Sequence, residues 1–402
     1  AADDGGDDGT AADDGGDDGT AADDGGDDGA AADDGGDDGA AADDGGDDPA
    51  AAGLQRAIDF VAQYSGTPTS TNITEPLPAR PEEGVDVYWA ECSFPVCNTI
   101  GDGIEAATEL LGWNLDRVPY NPGNPEEVGS VHLQGIQTGA DVLMTSGRPR
   151  SEWEAAADLA VENGVPIIDS YTRNPVLQAE NGIWSCFGCE ADSELVMQLI
   201  TNWVIADSGG NATILYSTIP DFPIVAFRDT VVEATVAENC PGCNLVTVQH
   251  SVQNLLEGAI PGNLIAQIQE NSDAENLYIL FAFGDQAFGF VPALEEVGLL
   301  DAVKITGHDP IIESLNNLDA GIEAAWTGNP VFQVGFNFVD CYARIAQGVE
   351  CNPDTVLPTQ VLTPGSEGLA LALAFQAETG VNAPYVGDPD FIAKFTELWQ
   401  LN

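Results

Sequence analysis

Residues 193–250 read SELVMQLITNWVIADSG (193–209), ATILYST (212–218), IVAFRDTVVEATVAEN (224–239) and NLVTVQH (244–250). The first and third stretches place apolar residues at helical spacing. The second and fourth are short apolar, β-branched runs, so the spacing predicts helix, strand, helix, strand. The alternation continues through GNLIAQIQEN (262–271), NLYILFAFG (276–284), FVPALEEVGL (290–299) and VKITGH (303–308). It also runs upstream, through strand VDVYWAE (85–91), helix IGDGIEAATELLG (100–112), strand ADVLMTSG (140–147), helix SEWEAAADLAVENG (151–164) and strand VPIIDSYT (165–172). Apolar strands alternating with amphipathic helices mean parallel sheets covered on both faces. The pattern breaks around residues 180–190 and restarts. Two such runs predict an α/β fold of two doubly wound parallel-sheet lobes with a hinge cleft. Ligands in such sheets bind beyond the carboxyl ends of the strands.

The chain has 402 residues, with 67 acidic and 10 basic side chains, for a formal charge of −57. Residues 1–50 hold 20 Asp and no base, which leaves −37 on the remaining 352 residues. Nucleic acid is excluded as a partner, because no basic stripe exists to neutralise phosphates. An anionic membrane surface is disfavoured for the same reason. No run of eighteen apolar residues is present to span a bilayer. Only Lys304 and Lys394 are lysines. Self-repulsion in so acidic a domain is relieved by salt, which suits salty or calcium-rich water outside the cell. The start at Ala1 reads as a mature form or a fragment.

Eight cysteines fall into four close pairs, Cys92/Cys97, Cys186/Cys189, Cys240/Cys243 and Cys341/Cys351. An even count in local pairs points to disulfides and an oxidising, extracytoplasmic compartment. Zinc is the alternative for the two CxxC pairs. About fifty residues separate them, however, and no His lies near either.

Residues 1–50 are five copies of a decapeptide, AADDGGDDGT in its first form. Without Val, Ile, Leu or aromatic residues the tract cannot form an apolar core. One reading is an extended, self-repelling linker. The other is calcium, which takes six to eight oxygens, with glycines turning neighbouring carboxylates onto one ion. The candidate ligands are Asp3, Asp4, Asp7, Asp8, Asp13, Asp14, Asp17, Asp18, Asp23, Asp24, Asp27, Asp28, Asp33, Asp34, Asp37, Asp38, Asp43, Asp44, Asp47 and Asp48. The strict EF-hand spacing is absent. Ions stacked along such an array would permit self-association into a calcium-stabilised extracellular fibre. After the repeats, residues 50–65 read as a short amphipathic helix and residues 66–83 as a Pro/Thr-rich linker. Asn72-Ile-Thr74 and Asn211-Ala-Thr213 are glycosylation sequons.

The order VYWAECSFPVCNTIGDGIEAATELLGW (87–113), ADVLMTSGRPR (140–150), GVPIID (164–169), NWVIADSGGNATILYSTIPDFPI (202–224), CPGC (240–243), LFAFGDQAFGFVPALEEVGL (280–299), VKITGHDP (303–310) and IEAAWTGNP (322–330) resembles type I periplasmic-binding-protein-like solute receptors of the sugar-binding class. The resemblance covers about residues 50–380 and leaves the repeats unexplained. It implies that two lobes close on a small polar solute, usually a sugar. It also implies delivery to an ABC transporter permease, or to a sensor, from a periplasmic, cell-surface or extracellular location.

The implied division is 1–50 for the repeats and 51–83 for helix and linker. An N-terminal lobe then takes 84–180 with 331–357, a C-terminal lobe 181–330 with 358–380, and 381–402 forms a C-terminal segment. Strand-end geometry with the family pattern nominates Glu91, Ser93, Phe94, Arg148, Asp169 and Tyr171 in the first lobe. In the second it nominates Asp221, Phe222, Asp285, His308, Asp309, Trp326 and Asn329. Gly284 stands where many members carry Asn before Asp285. Carboxylates and amides take two hydroxyls at once, and aromatic faces stack on sugar C–H faces. Trp89 and Phe283, inside strands, read as core.

An enzyme is not expected. His132, His250 and His308 are scattered without a nucleophile partner. Gly101-Asp-Gly103 lacks the third glycine and the position of a dinucleotide fingerprint.

Overall fold

The computed structural model describes residues 49–351, 356–381 and 383–402. The aspartates nominated for calcium lie outside these residues. The described chain belongs to one compact unit, Asp47–Asn402.

In chain order the elements are α1 (Pro49–Ala62), β1 (Asp86–Cys92), α2 (Pro95–Leu111), β2 (Asn114–Tyr120), α3 (Pro125–Gln137), β3 (Val142–Met144), α4 (Glu154–Asn163), β4 (Ile167–Ser170), β5 (Ile183–Phe187) and α5 (Glu190–Asp207). They continue as β6 (Thr213–Thr218), α6 (Pro223–Asn239), β7 (Asn244–Gln249), α7 (Val252–Leu256), α8 (Ile260–Glu270), β8 (Leu277–Phe281), α9 (Phe290–Val297), β9 (Lys304–His308), α10 (Ile312–Asp319) and β10 (Ala325–Gly328). The last four are α11 (Val331–Ala346), β11 (Gln360–Leu362), α12 (Glu367–Thr379) and α13 (Phe391–Leu398).

The expected fold is present. One sheet has the order β2-β1-β3-β4-β5 and the other β11-β10-β9-β8-β6-β7. Every pairing is parallel except β10 with β11. Strands β3, β4 and β8 are buried along their whole length. That is what coverage by helices on both faces requires.

Three elements differ from the sequence expectation. Strand β2 and helix α3 fill the stretch after residue 112. Strand β2 (NLDRVPY) is an edge strand that stays largely out of the core, so it lacks a continuous apolar run. Strand β5 pairs with β4, so the first lobe extends through Phe187 rather than ending at residue 180. Residues 66–83 are packed down rather than a free linker. Thr71 and Leu77 are each 1% exposed, and the Leu77 N–H donates to Leu398 O at 2.8 Å. Spaced apolar residues among prolines anchor the segment where composition alone suggests a spacer.

Helix α11 returns to the first lobe and crosses α2 at close range. A Cβ on Gly103 would lie 2.0 Å from Phe332 O, and one on Gly335 would lie 2.3 Å from Ile104 N. Gly103 is thus a helix-packing residue.

The four cysteine pairs are disulfides, not zinc ligands. Cys92 is bridged to Cys97, Cys186 to Cys189, Cys240 to Cys243 and Cys341 to Cys351. The Cys186–Cys189 bridge ties the end of β5 to Cys189, the residue that precedes α5. The Cys341–Cys351 bridge ties the middle of α11 to Cys351, in the segment after that helix.

Candidate functional site

The carboxyl ends of the two sheets face a common cavity of about 80 Å³. From the first lobe, β1 runs into the loop bearing Phe94, which the Cys92–Cys97 disulfide ties to the first turn of α2. Ser146 and Arg148 follow β3, and Tyr171 follows β4. From the second lobe, Phe222 precedes α6, whose Ile224, Val225 and Arg228 share one face. Phe283 and Asp285 follow β8, and Asp309 follows β9.

The lobes touch across this cavity. The Phe94 and Phe222 rings meet edge to face at 6.1 Å. The Arg148 guanidinium lies over Phe222 at 5.7 Å from the ring centroid. Arg148 is neutralised on its own side, where its Nε donates to Glu152 Oε2 at 2.8 Å.

Arg228 is 4% exposed and has no such partner. Its Nε donates to Ser193 Oγ at 3.2 Å and its Nη1 to Ala282 O at 3.0 Å. Burial lowers its pKa, and the field of Tyr216, Asp309, Tyr171 and Asp192 opposes that. Asp285 and Asp309 share the cavity wall. Burial pushes the Asp285 carboxyl up to about 7, against a backbone hydrogen bond from Val96 of the other lobe. Its Oδ2 is buried with no hydrogen-bond partner among the described residues. Asp309 is pushed up to about 8 by burial and then by Asp285, with Arg228 opposing. A Cβ on residue 284 would lie 2.0 Å from Asp309 O, so this close approach needs glycine.

Six nominated residues therefore line one cavity: Phe94, Arg148, Tyr171, Phe222, Asp285 and Asp309. Seven do not. Glu91 is held by Arg117, whose Nη2 donates to it at 2.7 Å. Ser93 is exposed, with its N–H bonded to Tyr120 O. Asp169 lies behind the wall, accepting from Ser170 N and Asn174 Nδ2 at 2.8 Å each. Asp221 accepts the Val252 N–H at the start of α7. Trp326 is fully buried and stacks on Phe281 at 6.0 Å, which makes it core. His308 and Asn329 line a small recess at the hinge with Asp192. There Asn329 Nδ2 donates to Tyr171 Oη at 2.8 Å.

Of the eight cysteines, Cys92 and Cys97 line the cavity. Cys186, Cys189, Cys240, Cys243, Cys341 and Cys351 do not, so their bridges brace the scaffold away from the cavity. Cys189 is half-buried before α5, and Cys351 is buried in the core with Cys341.

Phe283, read from the sequence as core, lines the cavity instead, because β8 ends at Phe281. Trp89 is core as expected, fully buried against Phe338. Sequence reasoning missed Arg228, which sits on a helix face rather than at a strand end. A signal existed, since Arg228 is the only Lys or Arg between residues 174 and 303.

Among the described residues no group of three or more His, Cys, Asp or Glu is placed to hold a metal ion. His132 is a packed core residue. It stacks on Trp153 at 4.7 Å, its ring nitrogens contact Val128 O and Thr145 Oγ1, and burial lowers its pKa to about 4.

A cleft at the carboxyl ends of two parallel sheets, with charged and aromatic walls, defines a two-lobed solute receptor. The periplasmic binding protein domain family model matches residues 86–350, and the chain belongs to that family. A search of curated proteins finds no match. Among solved structures, one similar to this chain is the 5-methylthioribose transporter solute-binding protein of Thermotoga lettingae, in complex with 5-methylthioribose. It has 18% identity and a TM-score of 0.62, covering 82% of this chain and 100% of that one. An ABC transporter periplasmic solute-binding protein of Actinobacillus succinogenes with bound D-allose has 19% identity and a TM-score of 0.59. It covers 70% of this chain and 98% of that one. An ABC transporter solute-binding protein of Agrobacterium vitis bound with alpha-D-tagatopyranose has 14% identity and a TM-score of 0.60, covering 75% and 98%.

Proposed function

We propose that this chain is an extracytoplasmic solute-binding protein that captures a sugar or related polyol between its lobes and presents it to an ABC importer. The observation that carries this reading is the set Arg228, Asp285 and Asp309 in a cavity walled by Phe94, Phe222 and Phe283. Carboxyls that titrate near neutrality both accept from and donate to hydroxyls. The guanidinium donates to ring or hydroxyl oxygens, and the phenyl faces cover sugar C–H edges. Family membership supports solute capture, and sugars bound to similarly folded proteins support the ligand class.

Binding works by lobe closure. The contacts of Phe222 with Phe94 and Arg148 exist only when the lobes are together, so a ligand filling the space between them favours the closed population. Isothermal titration of the full chain with a panel of neutral pentoses, hexoses and polyols tests the proposal. Saturable heat from at least one of them, lost in Arg228→Met with the far-UV spectrum intact, is expected. No heat and no thermal shift from any of them would overturn it.

A further inference from the structure

The space between the lobes continues past the two aspartates. A second chamber of about 420 Å³ adjoins the first, and Phe94, Val96, Asp285 and Asp309 line both. The chambers differ in size and in where the charged side chains lie. The first, at about 80 Å³, is small against the roughly 300–1,000 Å³ usual for small-molecule sites. The second is walled largely by Leu255, Leu256, Phe288, Ile311, Ile312 and Val331. Apart from the shared aspartates, its polar side chains are Thr99 and Glu313, and Glu313 Oε2 already accepts the Gly289 N–H. Leu256 is 42% exposed and Phe288 74%, the most exposed large apolar side chain among the described residues. The two guanidiniums, Arg148 and Arg228, thus line only the first chamber, while the second adds six large apolar side chains to the shared aspartates.

We infer that the ligand is a sugar or polyol carrying an apolar substituent, an alkyl or aryl group that fills the second chamber. The inference rests on the sugar-binding reading of the same cleft and adds what that reading lacks, the second half of the ligand. Apolar surface left in water at Leu256 and Phe288 is covered when the substituent enters. Each methylene buried there tightens binding about fourfold.

The test uses the full chain and paired probes, the methyl and hexyl glycosides of each sugar in the titration panel. The expected result is that a hexyl glycoside binds at least tenfold tighter than its methyl partner. The double variant Leu256→Ser with Phe288→Ser removes that gain and leaves the methyl glycoside affinity within twofold. Both side chains stand in solvent, so folding is not at stake. Methyl and hexyl glycosides of equal affinity, or a gain that survives the double variant, overturn the inference while leaving sugar capture standing. No heat from any sugar or glycoside overturns both.

Discussion

The two lobes meet the ligand cavity with different electrostatics. The first brings one guanidinium, Arg148, already bonded to Glu152, together with Phe94 and Tyr171. The second brings Arg228, bonded only to neutral groups, and two carboxyls, Asp285 and Asp309, that burial holds near neutrality. Hydrogen bonds to a charged group contribute about 1.5–3 kcal/mol, more than neutral ones. On the proposed reading this difference puts ligand anchoring in the second lobe and enclosure in the first.

The sharpest way to break that comparison is to remove one arginine from each side. Arg228→Met is expected to weaken sugar binding roughly 100-fold, and Arg148→Met tenfold or less. Titration calorimetry of both variants reads the difference, and equal losses would erase the distinction between the lobes.

A second effect follows from the buried acids. Asp285 stands at about 7 and Asp309 and Asp169 at about 8 in the folded chain, each above its ordinary value. The folded state therefore holds protons that the unfolded state has released, and stability falls as pH rises. Toward lower pH His132, lowered to about 4, and His250 and His308, also lowered by burial, act in the opposite sense, since the unfolded chain then takes up protons they do not. From about pH 7 to 8 the histidines are largely neutral in both states, and the buried acids, Glu323 at about 7 among them, set the slope. The melting temperature of ligand-free protein is expected to fall across that window, and less steeply in Asp309→Asn. A flat profile would show that these buried acids are ionised throughout.

A smaller effect separates two disulfides. Cys92–Cys97 holds the loop that carries Phe94 and the Val96 N–H taken by Asp285. Cys240–Cys243 lies at the far end of α6 and away from the cavity. Cys92→Ser with Cys97→Ser is expected to weaken binding a few-fold. Cys240→Ser with Cys243→Ser should leave affinity unchanged and lower only the melting temperature. The smallest change is expected from Trp326→Phe, which alters a core stack and leaves affinity within twofold.

The sequence makes the second lobe more legible than the first. Strands β6 and β8 are apolar runs between well-spaced helices, and their ends carry Phe222 and Asp285 as strand-end reasoning expects. In the first lobe β2 hides behind Asp116 and Arg117, because an edge strand needs no continuous apolar face. Pairing of the cysteines was legible from their spacing, since partners three to ten residues apart, as far as Cys341 and Cys351, meet within one local segment. Strand-end position, by contrast, selects residues without showing where their side chains go. Asp169 turns back to Ser170 and Asn174, Asp221 caps α7, and Trp326 points into the core. Arg228 escapes the same rule from the other direction, reaching the cavity from the second turn of α6.

The most direct test of the account is a crystal structure of the chain with a sugar that gives saturable heat. The expected structure has the ring in the cavity walled by Phe94, Phe222 and Phe283, with hydroxyls bonded to Asp285, Asp309 and Arg228. A sugar held outside the cleft, or held in it by Arg148 and Tyr171 with Arg228 still bonded only to Ser193 and Ala282, would contradict it.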